Sequence, residues 1–511
     1  MMPVGWGRNE GRVRTRKRKG SGCVNRGPMG PGQQTPLRSW RSHVRTTKLP
    51  GVIDGVARRR AVCLATCFLV VFNCNLLHGA FFDGLDEASK PVIEEARKRI
   101  EKIRKGTFTI RFVDQKGSPI ANRAEIHLVQ HEFQFGANLC PVTRLPDGHP
   151  ARKVALEVID ELFSLVRVGN FWSVEEPKRG AHNWKHTDRD VKWALNHGKD
   201  MRYHCVIYNM YYAVPKWYRE IDTTEEWWPL IEKRIRDVAG KYGETIHEYD
   251  LINEMLMNLK WANKNNPTFP TLGNPANAAR IFRIADKYLP DAKLVVLETH
   301  LCTLKNKHYQ NFFKYYKRLL DLGVPVDVLG FQGHFYGGGK MPIHRGHPQG
   351  GPGTFTMKVI SDCLDHLATL GKPIHITEYN PPSRMKNRKG PQPRLTDEEI
   401  AAWTVNFHTL VFSKPYIHQL TRWFVVDGYG GNAQDGGLVT VDGGKKPNYH
   451  ALRKLLKETW ATTWKGNLSD GKASFRGFFG KYEVRIPGYK PVRFNLYSKG
   501  RRKKVVPMTS Q

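Results

Sequence analysis

Short apolar runs alternate with amphipathic stretches from residue 133 onward. Eight runs are apolar on both faces, which is typical of parallel strands covered by helices. These runs are Phe133–Asn138, Leu165–Trp172, Met201–Tyr208, Tyr249–Glu254, Leu294–Glu298, Val326–His334, Ile374–Glu378 and Leu420–Val426. The stretches between them predict helices, among them Trp228–Tyr242, Ala276–Tyr288, Tyr309–Leu320, Met357–Leu370 and Asp397–Phe412. Eight such repeats favour an α/β fold with a closed (β/α)8 TIM barrel over residues 132–462. An open doubly wound sheet is the alternative, but no glycine-rich phosphate loop supports it.

Two shorter segments with strand-like alternation flank this region. Residues 85–131 predict a helix over Leu85–Lys105 and a small β-module with strands at Phe108–Val113 and Ala124–Val129. Residues 463–511 predict a small β-appendage, with runs at Ala473–Phe478 and Tyr482–Ile486, that could pack against the first module. The basic tail at Lys499–Lys504 is expected to fray. Glycan binding by these modules and plain packing against the barrel both remain open.

The first 80 residues have the pattern of a processing region. Residues 1–60 hold fifteen Lys or Arg and two acids, and we expect this basic N-terminal extension to be disordered or not translated. Residues 61–80 follow Arg58–Arg60 with an apolar run that ends in small residues, as a secretory signal peptide does. The run is too short for a comfortable membrane span, so we expect no stable membrane insertion. The chain is therefore expected to be secreted or periplasmic, with a membrane anchor as the alternative.

The net charge of +34 raises the question of a polyanionic partner. No zinc-finger, RNA-recognition or helix-turn-helix signature accompanies the charge, so we expect no nucleic-acid partner. An acidic polysaccharide, an anionic surface or a merely solvated basic surface remain as explanations. The oligomeric state is left open by the sequence.

Four cysteines lie beyond the signal region, at Cys140, Cys205, Cys302 and Cys363. Their wide spacing lacks the C-x-x-C pattern of zinc and redox sites, so we expect no metal site. One or two disulfides and single buried thiols both remain open.

Two glutamates end two of the predicted strands, Glu254 and Glu378. The carboxyl ends of the strands are where a barrel of this kind builds its active site. A single glutamate after an apolar run is more often a solvated loop residue. Two carboxyl groups that face each other are the minimum needed to cleave a glycosidic bond, since one protonates the leaving oxygen and the other attacks or stabilises the anomeric carbon. The pair therefore predicts a glycosidase.

Other polar and aromatic residues are predicted at the same strand ends. They are Asn253, His204, Gln332, His334 and Trp423. Gln332 and His334 are two positions apart in one strand and would point the same way. Each alone fits a structural role, but their coincidence with two glutamates favours one shared site.

These motifs resemble glycoside hydrolase family 10, the β-1,4-xylanases. Asp250–Glu254 (DLINE) resembles the acid/base signature of that family, and Ile376–Glu378 (ITE) resembles its nucleophile strand. Val326–Phe335 is similar to its sixth strand, and Glu176–Gly180 to the segment after its second strand. The resemblance extends over about residues 133–460 and includes the C-terminal stretch Gly437–Ala451.

The resemblance implies a role for each matching residue. Glu254 would be the general acid/base and Glu378 the nucleophile of a retaining reaction. The sugar at the cleavage point would be bound by His204, Asn253, Gln332, His334 and Trp423, and by Trp172. No metal or organic cofactor is needed for this chemistry. The expected substrate is xylan or a related plant or algal β-glycan, cut in the endo mode.

The chain also departs from the family pattern. The second strand of the family carries a Glu-Asn-x-Met-Lys-Trp run, and here Arg167–Trp172 keeps only the Trp, with Phe171 in the place of the Lys. Tyr208 and Asn209 replace a Trp-His pair, and Asn380 replaces an Asp. Because lost hydrogen bonds can reject a substrate by orders of magnitude, the reaction class is better supported than the substrate. A non-catalytic glycan-binding protein on a family 10-like barrel remains the alternative.

Overall fold

The computed structural model describes residues 85–221, 223–256, 272–299, 304–336, 355–384, 395–429 and 435–511. The predicted N-terminal extension (1–60), the predicted signal peptide (61–80) and Cys302 lie outside these residues. Within them, sixteen strands form a barrel sheet and two smaller sheets.

Eight parallel strands close into a barrel. Its strands are β3 (Gln134–Asn138), β4 (Leu165–Val168), β5 (Asp200–Ile207), β6 (Glu248–Asn253), β7 (Lys293–Glu298), β8 (Val328–Phe331), β10 (Ile374–Ser383) and β11 (Ile417–Arg422). Strand β11 pairs with both β10 and β3, and this pairing closes the ring. The short β9 (His334–Tyr336) pairs with the carboxyl end of β10. The predicted closed barrel is therefore confirmed, and the open sheet is wrong.

Helices connect the strands of the barrel. The described helices are α1 (Ser89–Ile103), α2 (Cys140–Thr143), α3 (Pro150–Leu162), α4 (Trp172–Glu175), α5 (Lys185–Asn196), α6 (Lys216–Arg219), α7 (Thr224–Tyr242), α8 (Pro275–Tyr288), α9 (Lys307–Asp321), α10 (Met357–Ala368), α11 (Asp397–Phe412) and α12 (Pro447–Lys454). A π-helical turn (Leu455–Thr459) follows α12. The five helices predicted from periodicity are all present.

Side-chain caps fix where several of these helices begin. The side chains of Asn274, Asn306 and Thr356 accept hydrogen bonds from backbone N–H groups in the first turns of α8, α9 and α10. Thr396 and Glu399 form a reciprocal capping box at the start of α11. These polar residues immediately precede the periodic apolar positions, which explains why periodicity located the helices well.

Several barrel strands differ from the predicted runs, among them β10, which continues past the predicted Glu378 to Ser383. Strand β4 ends at Val168, and the chain turns at Gly169, whose φ is +90°, so that Trp172 begins a helix. Gly333, with a φ of +78°, divides the predicted Val326–His334 run into β8 and β9. A Cβ at Gly333 would lie 2.9 Å from Ile376, so close packing also demands a glycine. Strand β11 begins earlier than predicted, at Ile417.

The two terminal β segments form one unit. Strands β1 (Lys105–Val113), β13 (Lys472–Phe478) and β16 (Lys503–Pro507) make a three-stranded sheet. Strands β2 (Arg123–His131), β12 (Thr463–Asn467), β14 (Gly480–Arg485) and β15 (Val492–Leu496) make a four-stranded sheet. Residues from both sheets share one hydrophobic core, so we call this unit the β-sandwich. The expectation that the two appendages pack together is confirmed.

The basic C-terminal tail is not frayed, and that prediction is wrong. Residues Lys503–Pro507 form β16, which pairs in parallel with β1, and Val506 is buried in the core of the sandwich. The apolar signal of β16 is only two valines beside a run of basic residues, so alternation alone did not reveal it. Strands β12 and β15 were missed for the same reason, since both are short and carry polar residues on one face.

Helix α1 belongs with the barrel and not with the β-module that follows it in sequence. Its Ile93 and Ile100 are buried in the barrel's hydrophobic core. Arg104, directly after α1, donates hydrogen bonds to the backbone carbonyls of Phe412, Lys414 and Ile417 at 2.7–2.9 Å. The N-terminal segment is therefore fastened to α11 and β11 before it enters the sandwich.

A buried ion pair lies inside the barrel. Arg202 of β5 donates from one nitrogen to both carboxylate oxygens of Asp250 in β6, at 2.9 and 2.7 Å. Its other terminal nitrogen donates to the carbonyl of Thr377 in β10 at 2.6 Å. Both charged side chains have 0% exposure. One guanidinium thus ties together three strands of the barrel.

The described residues also bear on the state of the cysteines and on membrane-spanning helices. Cys140 and Cys205 are free buried thiols, and Cys363 is buried. No helix in the described ranges is both long and apolar enough to cross a membrane.

We expect Arg202→Met to lower the free energy of unfolding by about 3–5 kcal/mol, because it leaves the Asp250 carboxylate buried without its partner. Urea denaturation at neutral pH measures the change. The matched control is Lys317→Met, which breaks an exposed pair with Asp321 in α9 and should cost about 0.3–0.5 kcal/mol. Equal losses in the two variants would contradict the structural role of Arg202.

Candidate active site

Glu254 lies at the carboxyl end of barrel strand β6, and Glu378 lies within barrel strand β10. Glu254 follows β6 directly, and its backbone has a φ of +50°, a region that costs free energy for any residue with a side chain. Its N–H donates to the carbonyl of Leu297 at 3.0 Å, which holds this backbone in place. Glu378 lies within β10, and its N–H donates to the carbonyl of Gln332 at 2.8 Å.

Both carboxylate oxygens of Glu254 accept hydrogen bonds. The hydroxyl of Tyr208 donates to Oε2 at 2.7 Å, and the side-chain amide of Gln332 donates to Oε1 at 3.0 Å. The same amide nitrogen lies 3.1 Å from the side-chain oxygen of Asn253. Residues at the ends of β5, β6 and β8 therefore fix the position of this carboxyl group.

Burial raises the pKa of Glu254 to about 7, and the negative charge of Glu298 adds to the effect. Glu298 is fully buried at the end of the neighbouring β7. The hydrogen bonds from Tyr208 and Gln332 act in the opposite direction and lower this pKa. Glu254 is therefore mostly protonated in mildly acidic solution.

Glu378 lies in a different electrostatic environment. Burial alone would raise its pKa, but His204, the hydrogen bond from His334 and the charge of Arg202 outweigh burial and hold this pKa below its usual range. His334 Nε2 lies 3.1 Å from Glu378 Oε2, so that nitrogen carries the proton of the bond. Among the described residues, no donor hydrogen-bonds to Oε1, and His204 Nδ1 lies 3.7 Å from it.

The buried ion pair orients His204. Its Nδ1 lies 2.8 Å from Asp250 Oδ2, which places the ring proton on Nδ1. Asp250 is in turn held by Arg202. The chain Arg202–Asp250–His204 thus reaches from the barrel interior to Glu378.

Trp423 forms one wall of the same cluster. It follows β11 and is half-buried, with its ring 5.2 Å from the ring of His204 and 6.1 Å from that of His334. The guanidinium of Arg167 stacks 5.3 Å from the Trp423 ring. Among the candidates from sequence, the structure therefore brings Glu254, Glu378, His204, Asn253, Gln332, His334 and Trp423 together.

A profile of glycosyl hydrolase family 10 matches residues 132–455, which is more than half of the chain. The chain belongs to this family. The match covers the whole barrel and both glutamates, and the resemblance noted in the sequence is confirmed.

Several known proteins are similar to this chain in sequence. Endo-1,4-beta-xylanase 2 of Arabidopsis thaliana is 25% identical over 319 residues, which cover 62% of this chain and 26% of that protein. Anti-sigma-I factor RsgI6 of Acetivibrio thermocellus is 24% identical over 411 residues, which cover 79% of this chain and 48% of that protein. The chain thus spans less than half the length of each of these two relatives.

Solved structures support the fold. Xylanase 10B from Thermotoga petrophila RKU-1, in complex with xylobiose, superposes with a TM-score of 0.51 at 20% identity, covering 64% of this chain and 95% of that one. A family 10 structure from Paenibacillus barcinonensis gives the same TM-score and identity, and covers 64% and 96%. At 20% identity these superpositions show that the barrel fold is shared, and no more than that.

Trp172, the one residue kept from the second-strand pattern of family 10, lies apart from the glutamates. It is buried at the start of α4, and its indole N–H donates to Glu176 at 2.7 Å. Its ring packs against Trp217 and Tyr218. The structure does not bring Trp172 into contact with the carboxyl pair, and its part in sugar binding stays a prediction.

The departures from the family pattern change the surroundings of the pair. Phe171 packs its ring against Tyr208 and Tyr212, at centroid distances of 5.8 and 5.5 Å. Asn380 is buried, and its amide donates to the Pro381 carbonyl and the Ser383 hydroxyl. An aromatic cluster therefore adjoins Glu254, and within it Phe171 occupies the place of the lysine in the family pattern.

Sequence reasoning missed four residues of the site. Tyr208 was noted only as a departure, and Arg202, Asp250 and Glu298 were not singled out for a role at the site. The signal for the last three was present, since a charged residue inside an otherwise apolar strand must find a buried partner. The Tyr208–Glu254 bond carried no such signal, because it depends on how two neighbouring strands are aligned.

One further group could in principle hold a metal ion. Glu176, His182 and Asp237 each offer a ligand atom within 4.8 Å of the others. The ammonium of Lys233 lies 2.5 Å from Asp237 and 3.6 Å from Glu176, so this cluster already contains a positive charge.

We expect Tyr208→Phe to raise the pKa of Glu254, because the lost hydroxyl donates to Oε2 and favours the ionised carboxylate. Carbon-13 NMR titration of protein labelled at the glutamate carboxyl groups measures the change, and Glu254→Gln identifies the signal. The control is Tyr212→Phe, which removes a hydroxyl that bonds to Tyr208 rather than to the carboxylate and should shift the pKa less. An unchanged or lowered pKa in Tyr208→Phe would refute the role given to this hydroxyl.

Proposed function

We propose that this protein is a retaining endo-β-1,4-glycanase that hydrolyses xylan. The observation that carries the proposal is the electrostatic contrast between the two glutamates. Glu254 has a pKa of about 7, and the pKa of Glu378 is held below its usual range within the same hydrogen-bonded cluster. One carboxylic acid and one carboxylate are the pair that glycoside hydrolysis requires.

In the first step Glu378 attacks. Its Oε1 forms a bond to the anomeric carbon while Glu254 transfers its proton to the glycosidic oxygen, and the bond between that carbon and oxygen breaks. The leaving chain departs with the proton, and a glycosyl-enzyme ester remains on Glu378. The absence of a described hydrogen-bond donor to Oε1 leaves its lone pairs available for this attack.

In the second step Glu254, now ionised, takes a proton from water. The resulting hydroxide attacks the anomeric carbon and releases Glu378 as a carboxylate. The two displacements preserve the configuration at that carbon. His334 and His204 favour the ionised form of Glu378 and so help it to leave.

Xylan is proposed as the substrate because several relatives, including three Arabidopsis proteins, are named endo-1,4-beta-xylanases. A plant or algal origin of the glycan fits the same proposal. Loss of the family's second-strand lysine in favour of Phe171 indicates that the sugar contacts beside Glu254 differ from those of these relatives.

We expect Glu378→Gln to reduce the release of reducing ends from xylan by about 10⁴-fold, and Glu254→Gln to reduce it by about 10²–10⁴-fold. Neither change alters the size of the side chain. Glu157→Gln, on the exposed face of α3, is the control and should keep full activity. Proton NMR of the first product anomer tests the stereochemistry, and an inverted product would refute the retaining mechanism.

The second candidate is a glycan-binding protein without catalysis. It is favoured by the similarity to a relative that is named an anti-sigma-I factor rather than an enzyme. It predicts that the unaltered protein and Glu378→Gln retain xylan equally in affinity electrophoresis while neither releases reducing ends from xylan, glucan or mannan. That outcome would replace the hydrolase proposal.

We also propose that the chain is exported. The support is the basic and apolar pattern of residues 58–80. Expression in a secreting host should yield extracellular protein whose N-terminal sequence begins close to Phe81. Replacing Leu69 and Val70 by Asp should retain the protein inside the cell, whereas efficient export of that variant would contradict the signal peptide.

A further inference from the structure

The β-sandwich carries much of the positive charge of the described chain. Its two sequence segments, 105–131 and 463–511, hold sixteen Lys or Arg against four Asp or Glu. Residues 132–462 are more than four times as numerous as those of the sandwich, and they hold forty-four Lys or Arg against thirty-five Asp or Glu. The sandwich therefore has a net charge of +12, and the larger barrel region has one of +9.

Strand pairing arrays this charge on the outer face of the three-stranded sheet. Alternate residues of β1 and β13 are buried, so the residues between them face outward. The register places Arg111 beside Lys472, and Thr107 beside Arg476. On the other side, Lys503 pairs with Thr109, which itself lies opposite Ser474. Cations and hydroxyl groups thus alternate across a flat surface.

The outer face of the four-stranded sheet repeats this arrangement. Arg485 and Arg493 both bind the single carboxylate of Glu483, at 2.8 and 3.0 Å, and their side chains are 67% and 75% exposed. Lys465 pairs with Glu125 across β12 and β2. Two guanidinium groups that share one carboxylate leave a positive charge uncompensated, so this face also carries excess charge.

Most Phe, Tyr and Trp rings of the sandwich lie in its core, and only Trp464, Tyr489 and Tyr497 are half-buried. The rings of Phe108, Phe112, Phe475, Phe494 and Tyr482 are buried in its core. Among the residues of the sandwich, all of which are described, the exposed large hydrophobic side chains are Val129 and Val505. A ligand would therefore be bound through charge and hydroxyl contacts rather than by stacking of rings, which disfavours single-stranded nucleic acid.

We propose that the β-sandwich binds anionic polysaccharide, that is, sugar polymers bearing carboxylate or sulfate groups. Arginine and lysine pair with both groups, and the outward serine and threonine hydroxyls suit sugar hydroxyls. The unit would hold the barrel close to an acidic polymer and so raise the local concentration of substrate. The binding itself does not depend on the proposed hydrolase activity.

Dextran polymers of equal length test the binding apart from catalysis, because their backbone is not a β-1,4-glycan. Affinity electrophoresis of the full chain with dextran sulfate, carboxymethyl dextran and neutral dextran should show retention by the two anionic polymers only. Raising the salt from 50 to 200 mM should weaken retention about tenfold or more. Retention by sulfate alone or carboxylate alone identifies which group is recognised, and equal retention by neutral dextran would overturn the proposal.

A charge-matched pair of variants locates the surface. The sandwich variant combines Arg476→Gln, Lys481→Gln, Arg493→Gln and Lys503→Gln, and should bind anionic dextran about tenfold more weakly with unchanged xylan hydrolysis. The control combines Lys153→Gln, Lys287→Gln, Lys317→Gln and Lys358→Gln on barrel helices, with the same loss of charge. The two variants are identical outside the eight substituted positions, so the difference between them reports the sandwich alone.

Three outcomes would refute the location or the ligand. An equal loss in the control would mean that net charge, rather than this surface, governs binding. Unchanged binding in the sandwich variant, with an unfolding midpoint like that of the unaltered protein, would exclude the surface. Tighter binding of duplex DNA than of either anionic dextran at the same salt would assign the surface to nucleic acid.

Discussion

The guanidinium of Arg202 is the interaction on which the site depends. It is fully buried, and it joins β5, β6 and β10, the strands that carry His204, Asn253 and Glu378. Burying a charge costs free energy unless its partner and its hydrogen bonds are well placed. The ion pair therefore restricts how the three strands can be aligned with one another. Contacts inside the barrel therefore help to set the positions of these residues.

Glu254 and Glu378 lie close together in the barrel, but their surroundings shift their pKa values in opposite directions. Glu254 lies near a second buried carboxylate, Glu298, whereas Glu378 lies among His204, His334 and Arg202. Tyr208 moderates the first environment, because its hydrogen bond favours the ionised form that burial disfavours. The different pKa shifts of the two glutamates, on which the proposed roles of acid and nucleophile depend, thus follow from neighbours on adjacent strands.

The barrel and its glutamates could be predicted because their signals are local. An apolar run that stops at a carboxylate is visible in the sequence. Residues such as Asn274 and Thr396, which cap the first turn of a helix, likewise indicate where a helix begins. Tyr208 and Glu254 are 46 residues apart in the chain, and their hydrogen bond depends on how two strands are aligned, which periodicity does not encode. Strand β16 was missed because its two valines follow basic residues, and only pairing with β1 gives it a buried face.

The β-sandwich is built from both ends of the described chain, since β1 and β2 pair with β13, β14 and β16. Strands β1 and β2 leave the ribosome hundreds of residues before their partners, so their apolar faces stay uncovered while the whole barrel is synthesised. The unit is completed only when the last strand arrives. The completed β-sandwich then holds the two ends of the described chain together. A chain cut within a barrel loop would keep its two fragments joined through the paired strands of the sandwich.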